Sequence, residues 1–133
     1  MKTILLVDDS RVTRELIKVF LIGKDIRLLE APDGLVALEV ARRERPDLVV
    51  CDLRMPHLDG PGLCHRMQAE AGLQDIPVVI LTSDKDEASR RRCQEAGARE
   101  VLLKPVSPHA LQDAVARHAD IAIGVSSVPP ARP

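Results

Sequence analysis

The sequence predicts an α/β fold, a doubly wound parallel sheet of five strands alternating with five helices, on three observations. Short runs of Ile, Val and Leu recur along the chain, most of these runs do not alternate apolar with polar residues, and the segments between them carry helical periodicity. Unbroken apolar runs are the pattern of strands covered on both faces, as in a parallel sheet. Five strand-helix steps in 133 residues leave about 25 residues per step, the natural size of a right-handed crossover unit.

The strands are expected at Thr3 to Val7, Ile26 to Glu30, Leu48 to Cys51, Val78 to Leu81 and Val101 to Leu103. The second is more mixed than the rest and reads as an edge strand. After the candidate cap Ser10, the residues Val12, Leu16, Val19 and Phe20 fall on one helical face and predict its core side. Val36, Ala37, Val40 and Ala41 do the same after Asp33-Gly34, and Leu63, Met67 and Glu70 follow Gly60-Pro61. The stretch Glu87 to Ala96 has few large apolar residues, so its helix is expected to be thinly anchored. A last helix starts near Ser107-Pro108, with Pro in the first turn, and runs through Leu111, Val115 and His118. Residues 1–121 form one domain, and the Ser/Pro-rich stretch 122–133 reads as a tail or linker stub.

Composition narrows the function classes. Phe20 is the only aromatic residue, while 45% of residues are hydrophobic. Stacking platforms for single-stranded nucleic acid are excluded, as is an aromatic wall for a quaternary amine. A net charge of −1 supplies no global basic field for DNA or anionic lipid. Three cysteines, Cys51, Cys64 and Cys93, without a C-x-x-C pair indicate reduced thiols. The apolar start Ile4 to Val7 is stopped by Asp8 and Asp9, too short for a signal peptide or a membrane span, so a soluble cytoplasmic protein is expected. The histidines His57, His65, His109 and His118 lack metal-box spacing and read as surface residues, and Cys51 reads as core. The triplet Arg90-Arg91-Arg92 reads as a solvated helix face.

Parallel sheets bind ligands beyond the carboxyl ends of their strands. Strand one ends at Asp8 and Asp9, strand three at Asp52, strand four at Thr82 and Ser83, and strand five at Lys104. Taken singly, Asp9 or Ser10 serves equally well as a helix cap. Asp52 directly follows the apolar run Leu48 to Cys51, where an unpaired carboxylate is costly without function. Three crowded carboxylates repel one another and call for a cation; an all-oxygen ligand set suits Mg2+ or Mn2+. With a lysine and a hydroxyl on the same rim, the set is suited to an added phosphoryl group.

These residues resemble the receiver domain of bacterial two-component response regulators. The resemblance is carried by Val7-Asp8-Asp9-Ser10, by the segment Asp47 to Gly60 around Asp52, by Leu81-Thr82-Ser83, and by Gly97-Ala98 leading to Lys104-Pro105, and it spans residues 3 to about 118. It implies a flavodoxin-like sheet in the order 2-1-3-4-5. It implies that Asp52 accepts a phosphoryl group from a phosphohistidine, that Asp9, Asp52 and the backbone carbonyl of Arg54 bind Mg2+ directly, and that Asp8 acts largely through water. Thr82 is implied to hydrogen-bond the phosphoryl group, Lys104 to pair with it, and the Lys104-Pro105 bond to be cis. The implied partners are a sensor histidine kinase or phosphotransfer protein and a downstream protein; homodimerisation on phosphorylation is left open, and neither nucleic acid nor membrane is an expected partner. The implied role is a signalling switch that assists its own phosphorylation and dephosphorylation, not a turnover enzyme. Many receivers carry Tyr or Phe three residues before the lysine, and this chain has Val101; the aromatic often found just after Lys-Pro is replaced by Val106. Arg54 and Asp84 lie two residues beyond Asp52 and Thr82, at positions that flank the hydrolytic water path in the family, and are expected to pair across the site and slow water entry. Two other readings compete. A small Mg2+-dependent aspartyl phosphatase is disfavoured by the adjacent Asp8-Asp9 and the lack of capping length, and a flavin binder by the lack of a phosphate loop after strand one.

Overall fold

A computed structural model of the chain describes residues 1–22 and 25–120. In it β1 (Lys2–Val7) lies between β2 (Ile26–Ala31) and β3 (Leu48–Asp52), followed by β4 (Val78–Thr82) and β5 (Glu100–Leu103), giving one five-stranded sheet in the order β2-β1-β3-β4-β5. Every pairing is parallel. The connections are α1 (Arg11–Leu21), α2 (Gly34–Glu44), α3 (Gly60–Gln68) and α4 (Glu87–Glu95), with α5 (Pro108–Ala119) after the last strand. Each strand starts and ends within two residues of the position its apolar run predicts. The stretch 122–133, expected to be a tail, lies outside the described residues.

Alternation along the central strands fills two cores. Leu5, Val7, Val49, Cys51, Val78 and Ile80 pack on one face with residues of α2, α3 and α4. Ile4, Leu6, Leu48, Val50, Val79 and Leu81 pack on the other with Ile17 and Leu21 of α1 and Leu111, Val115 and Ala119 of α5. Covering both faces makes β1, β3 and β4 continuously apolar, and β2 lies at an edge, as its mixed sequence predicts.

The helix starts are set by short polar side chains. Ser10, Asp33, Asp59, Asp86 and Ser107 are the N-caps, and each accepts a hydrogen bond from the backbone N–H three residues on. The entry to α3 also needs a glycine. A Cβ on Gly60 would stand 2.7 Å from the backbone oxygen of Asp52, so only glycine lets this helix start so close to the end of β3.

Three expectations need correction. The face of α1 formed by Val12, Leu16 and Val19 points to solvent, with exposures of 78%, 53% and 61%, and the core side is formed by Ile17 and Leu21. The roll of the helix is set by Arg14 and Lys18, both ion-paired with Glu30 of β2, and Arg14 also donates to the backbone oxygen of Asp8. These bonds hold the polar side of α1 over the sheet edge and turn the second apolar stripe outward. Glu70 lies beyond α3, which ends at Gln68, and pairs with Arg42 of α2. His118 is not a plain surface residue: its Nε2 lies 2.7 Å from Oε1 of Glu100, and its side chain is 17% exposed.

Candidate phosphoacceptor site

Apolar strand interiors drive β1, β3, β4 and β5 into register, so their polar last residues meet at one edge of the sheet. One carboxylate oxygen from each of Asp8, Asp9 and Asp52 lies within 4.8 Å of the other two. Asp8 is buried, Asp52 half-buried and Asp9 exposed, so the cluster is open on one side. Hard oxygen donors at this separation with an open side fit a divalent cation that keeps part of its water shell. Burial raises the pKa of Asp8; the backbone N–H of Ser10, which donates to its Oδ1 over 2.8 Å, opposes that shift, and the charge of Asp52 adds to it.

Lys104 brings a cation to this cluster. Its Nζ lies 2.7 Å from Oδ1 of Asp52 and 3.6 Å from Oδ2 of Asp8. Burial disfavours the ammonium, but the hydrogen bond to Asp52 and the charges of Asp52 and Asp8 outweigh it, so the pKa of Lys104 is raised. The lysine is placed by the backbone: its N–H donates to the oxygen of Thr82 over 2.8 Å, and its bond to Pro105 is cis, as the resemblance implies. Thr82 is buried at the end of β4, and its Oγ1 accepts the N–H of Asp84 over 2.9 Å. Asp52, Arg54, Thr82, Asp84 and Lys104 line a small opening of about 100 Å3.

The expected pair across this opening is present: Arg54 Nη2 donates to Oδ2 of Asp84. Val101, at the place of the absent aromatic, is packed into the same core as Cys93, with 8% exposure. The three thiols are free and buried, and burial pushes Cys51 well above the ordinary thiol range and Cys64 up to about 12. They are core groups, not nucleophiles.

Two features were not read from the sequence. Ser89 Oγ donates to Oδ2 of Asp84 over 3.1 Å, and Arg92, the last of the arginine triplet, pairs with Asp59, the cap of α3. The outward stripe of α1 also borders a groove of about 290 Å3 whose walls include Leu16, Phe20, Pro105 and Val106 and which shares Lys104 with the phosphoacceptor opening. The stripe's spacing at 12, 16 and 19 was visible in the sequence, but which of two apolar stripes faces the sheet was not.

Comparison with known proteins agrees with this geometry. The response regulator receiver domain profile matches residues 4–116. The two-component response regulator ORR3 of Oryza sativa subsp. indica is 38% identical over 106 residues, covering 79% of this chain and 81% of ORR3. The ycf27 protein of Porphyridium aerugineum is 37% identical over 131 residues, covering 95% of this chain but 52% of ycf27, so the chain spans about half the length of that curated relative. In the solved structures, the receiver domain of sensor histidine kinase PA1611 from Pseudomonas aeruginosa, which has a magnesium ion coordinated in its active site cleft, superposes with a TM-score of 0.82 at 30% identity, covering 90% of this chain and 98% of that one. The phosphatase alternative is not favoured by these matches. Among the described residues, no helix is long and apolar enough to cross a membrane. With its fold, its acidic edge and its matched span in agreement, the chain belongs to the response regulator receiver domain family of two-component signalling.

Proposed function

We propose that Asp52 is the phosphoacceptor of this receiver and takes its phosphoryl group from a phosphohistidine of a sensor kinase or phosphotransfer protein. A carboxylate oxygen of Asp52 forms the new P–O bond, the P–N bond of the phosphohistidine breaks, and the imidazole leaves with the electron pair. The observation that carries this reading is the ammonium of Lys104 at 2.7 Å from Asp52, itself one of the three clustered carboxylates. Lys104 keeps its proton throughout and pairs with the phosphoryl oxygens as charge gathers on them, and the Thr82 hydroxyl donates to one of them. Asp9, Asp52 and the carbonyl of Arg54 would hold Mg2+, with Mn2+ an alternative, and Asp8 would act largely through water. A bound divalent ion would neutralise charge on the transferring group.

The donor side of the reading draws on α1. An exposed apolar stripe at 12, 16 and 19 has the spacing of a helix-pairing seam. The groove beside it shares Lys104 with the acceptor opening. A helix laid along the stripe would thus carry a histidine to Asp52. Arg54, which pairs with Asp84 at the mouth of the opening before phosphorylation, would screen the acyl phosphate from water.

Incubation with Mg2+ and acetyl phosphate or phosphoramidate, followed by intact-mass measurement, tests the acceptor. The expected result is a gain of one phosphoryl group that is absent in Asp52→Asn. Steady release of inorganic phosphate from varied phosphoesters, without a stable adduct, would overturn it.

A further inference from the structure

The seating of α4 depends on polar contacts to an unusual degree. Cys93 is its only buried residue, so little apolar area holds it to the sheet. Two side-chain contacts do so instead: Arg92 to Asp59 at the start of α3, and Ser89 to Asp84 in the loop after β4. The second contact leads to the phosphoacceptor. Oδ2 of Asp84 accepts from both Ser89 Oγ and Arg54 Nη2, and the backbone N–H of Asp84 donates to Thr82 Oγ1. One residue therefore joins α4 to two groups that line the opening beside Asp52.

We propose that Asp84 is the positioning residue through which phosphorylation of Asp52 reaches α4, in place of a moving aromatic. The inference rests on the phosphoacceptor reading of Asp52. A phosphoryl group brings roughly two negative charges and three strong acceptor oxygens to the opening. Guanidinium binds phosphate oxygens at least as well as a carboxylate and with a matching fork, so Arg54 transfers from Asp84 to the phosphoryl group. The Asp84 carboxylate loses its only cation among the described residues while a new anion forms nearby. Like-charge repulsion then drives it outward, and the shared Oδ2 leaves Ser89 as it moves. The helix keeps Arg92–Asp59 and Cys93 but loses the contact at its first turns.

Hydrogen exchange of residues 87–95, measured before and after phosphorylation by acetyl phosphate with Mg2+, tests this, with intact mass confirming occupancy in the same samples. In the unaltered chain, phosphorylation is expected to speed exchange roughly tenfold, the effect of losing one hydrogen bond to a charged group. Ser89→Ala is expected to take up the same one phosphoryl group, to exchange fast already without it, and to change less than about twofold on phosphorylation. Arg92→Ala, which cuts the tie that does not pass through Asp84, is expected to exchange faster in both states while keeping the roughly tenfold ratio. Retention of the full response in Ser89→Ala, or its loss in Arg92→Ala as well, would overturn the role of Asp84. A chain that gains no phosphoryl mass would instead overturn the acceptor reading of Asp52, so the two failures are distinguishable.

Discussion

Lys104 and Asp52 form a direct ion pair at the acidic edge, 2.7 Å from Nζ to Oδ1, and the same ammonium reaches Asp8 at 3.6 Å. One cation thus serves two carboxylates of a cluster of three. Replacing it by an apolar side chain of similar length removes the charge that would meet the phosphoryl oxygens. Lys104→Met is expected to slow phosphorylation by acetyl phosphate on the order of 100-fold, the scale of losing one preorganised donor to a developing anion. Intact mass against time measures it, and an unchanged rate would remove Lys104 from the chemistry.

Asp8 makes the site costly to the fold at neutral pH. Burial raises its pKa above the ordinary 3.8, so the folded chain binds this proton more tightly than the unfolded chain. Its contribution to stability therefore declines as pH rises from below 3.8 through the raised folded value, and the cost is complete at neutral pH. Asp8→Asn is expected to melt roughly 3–5 °C above the unaltered chain at pH 7 without divalent ions, with the difference shrinking toward pH 4. Comparing the two chains at each pH matters because Glu30 and Glu100 run the other way. Their pKa values are lowered, chiefly by the hydrogen bonds from Lys18 and Arg117, so they lose stabilising charge as the pH falls. Mg2+ is expected to raise the melting temperature of the unaltered chain at pH 7 and to do less for Asp8→Asn; a difference in melting temperature that is constant with pH would contradict the assignment to Asp8.

The parts of this molecule that were legible in its sequence are those where chemistry changes abruptly along the chain. Asp52 stands out because a carboxylate ends an apolar run, and Lys104 because a charged residue and a proline end another. Such junctions place polar groups at strand ends whatever the tertiary detail. The roll of α1 was not legible, because its apolar residues form two stripes and the choice falls to Arg14 and Lys18 meeting Glu30 on a different element. The Asp84–Ser89 contact was hidden for a similar reason. It joins residues five apart across a helix cap, where the turn geometry and not any motif brings the side chains together. In both cases side chains from different segments had to be brought together by the folded backbone, and the apolar pattern of the sequence does not encode that.

Arg54 is mostly exposed, 72% at the side chain, so its pair with Asp84 adds little to stability and its interest is positional. Its guanidinium lines the opening and is held there by Asp84; on the proposed route the phosphoryl group would hold it after phosphorylation. Arg54→Ala is expected to shorten the lifetime of the phosphorylated protein about twofold to fivefold, the scale of one exposed charge pair. Asp84→Ala is expected to shorten it less, because the phosphoryl group itself then retains Arg54. Lifetimes follow from intact mass after removal of the donor, and equal lifetimes for Arg54→Ala and the unaltered chain would exclude a shielding role.

If the donor docks on the outward stripe of α1, as proposed, variants there will separate donor recognition from chemistry. Val12, Leu16 and Val19 contribute little to the core, and replacing exposed residues of this kind changes stability by only about 0.5 kcal/mol. A charge placed on a helix-pairing seam must be desolvated when a partner docks, which is far more costly. The double variant Val12→Asp, Leu16→Glu is therefore expected to keep its melting temperature and its rate with acetyl phosphate. Its kcat/KM with a phosphorylated histidine phosphotransfer domain that serves the unaltered chain is expected to fall more than about tenfold. Equal losses with both donors would place the defect at Asp52, and no loss with either would show that the donor approaches along another face.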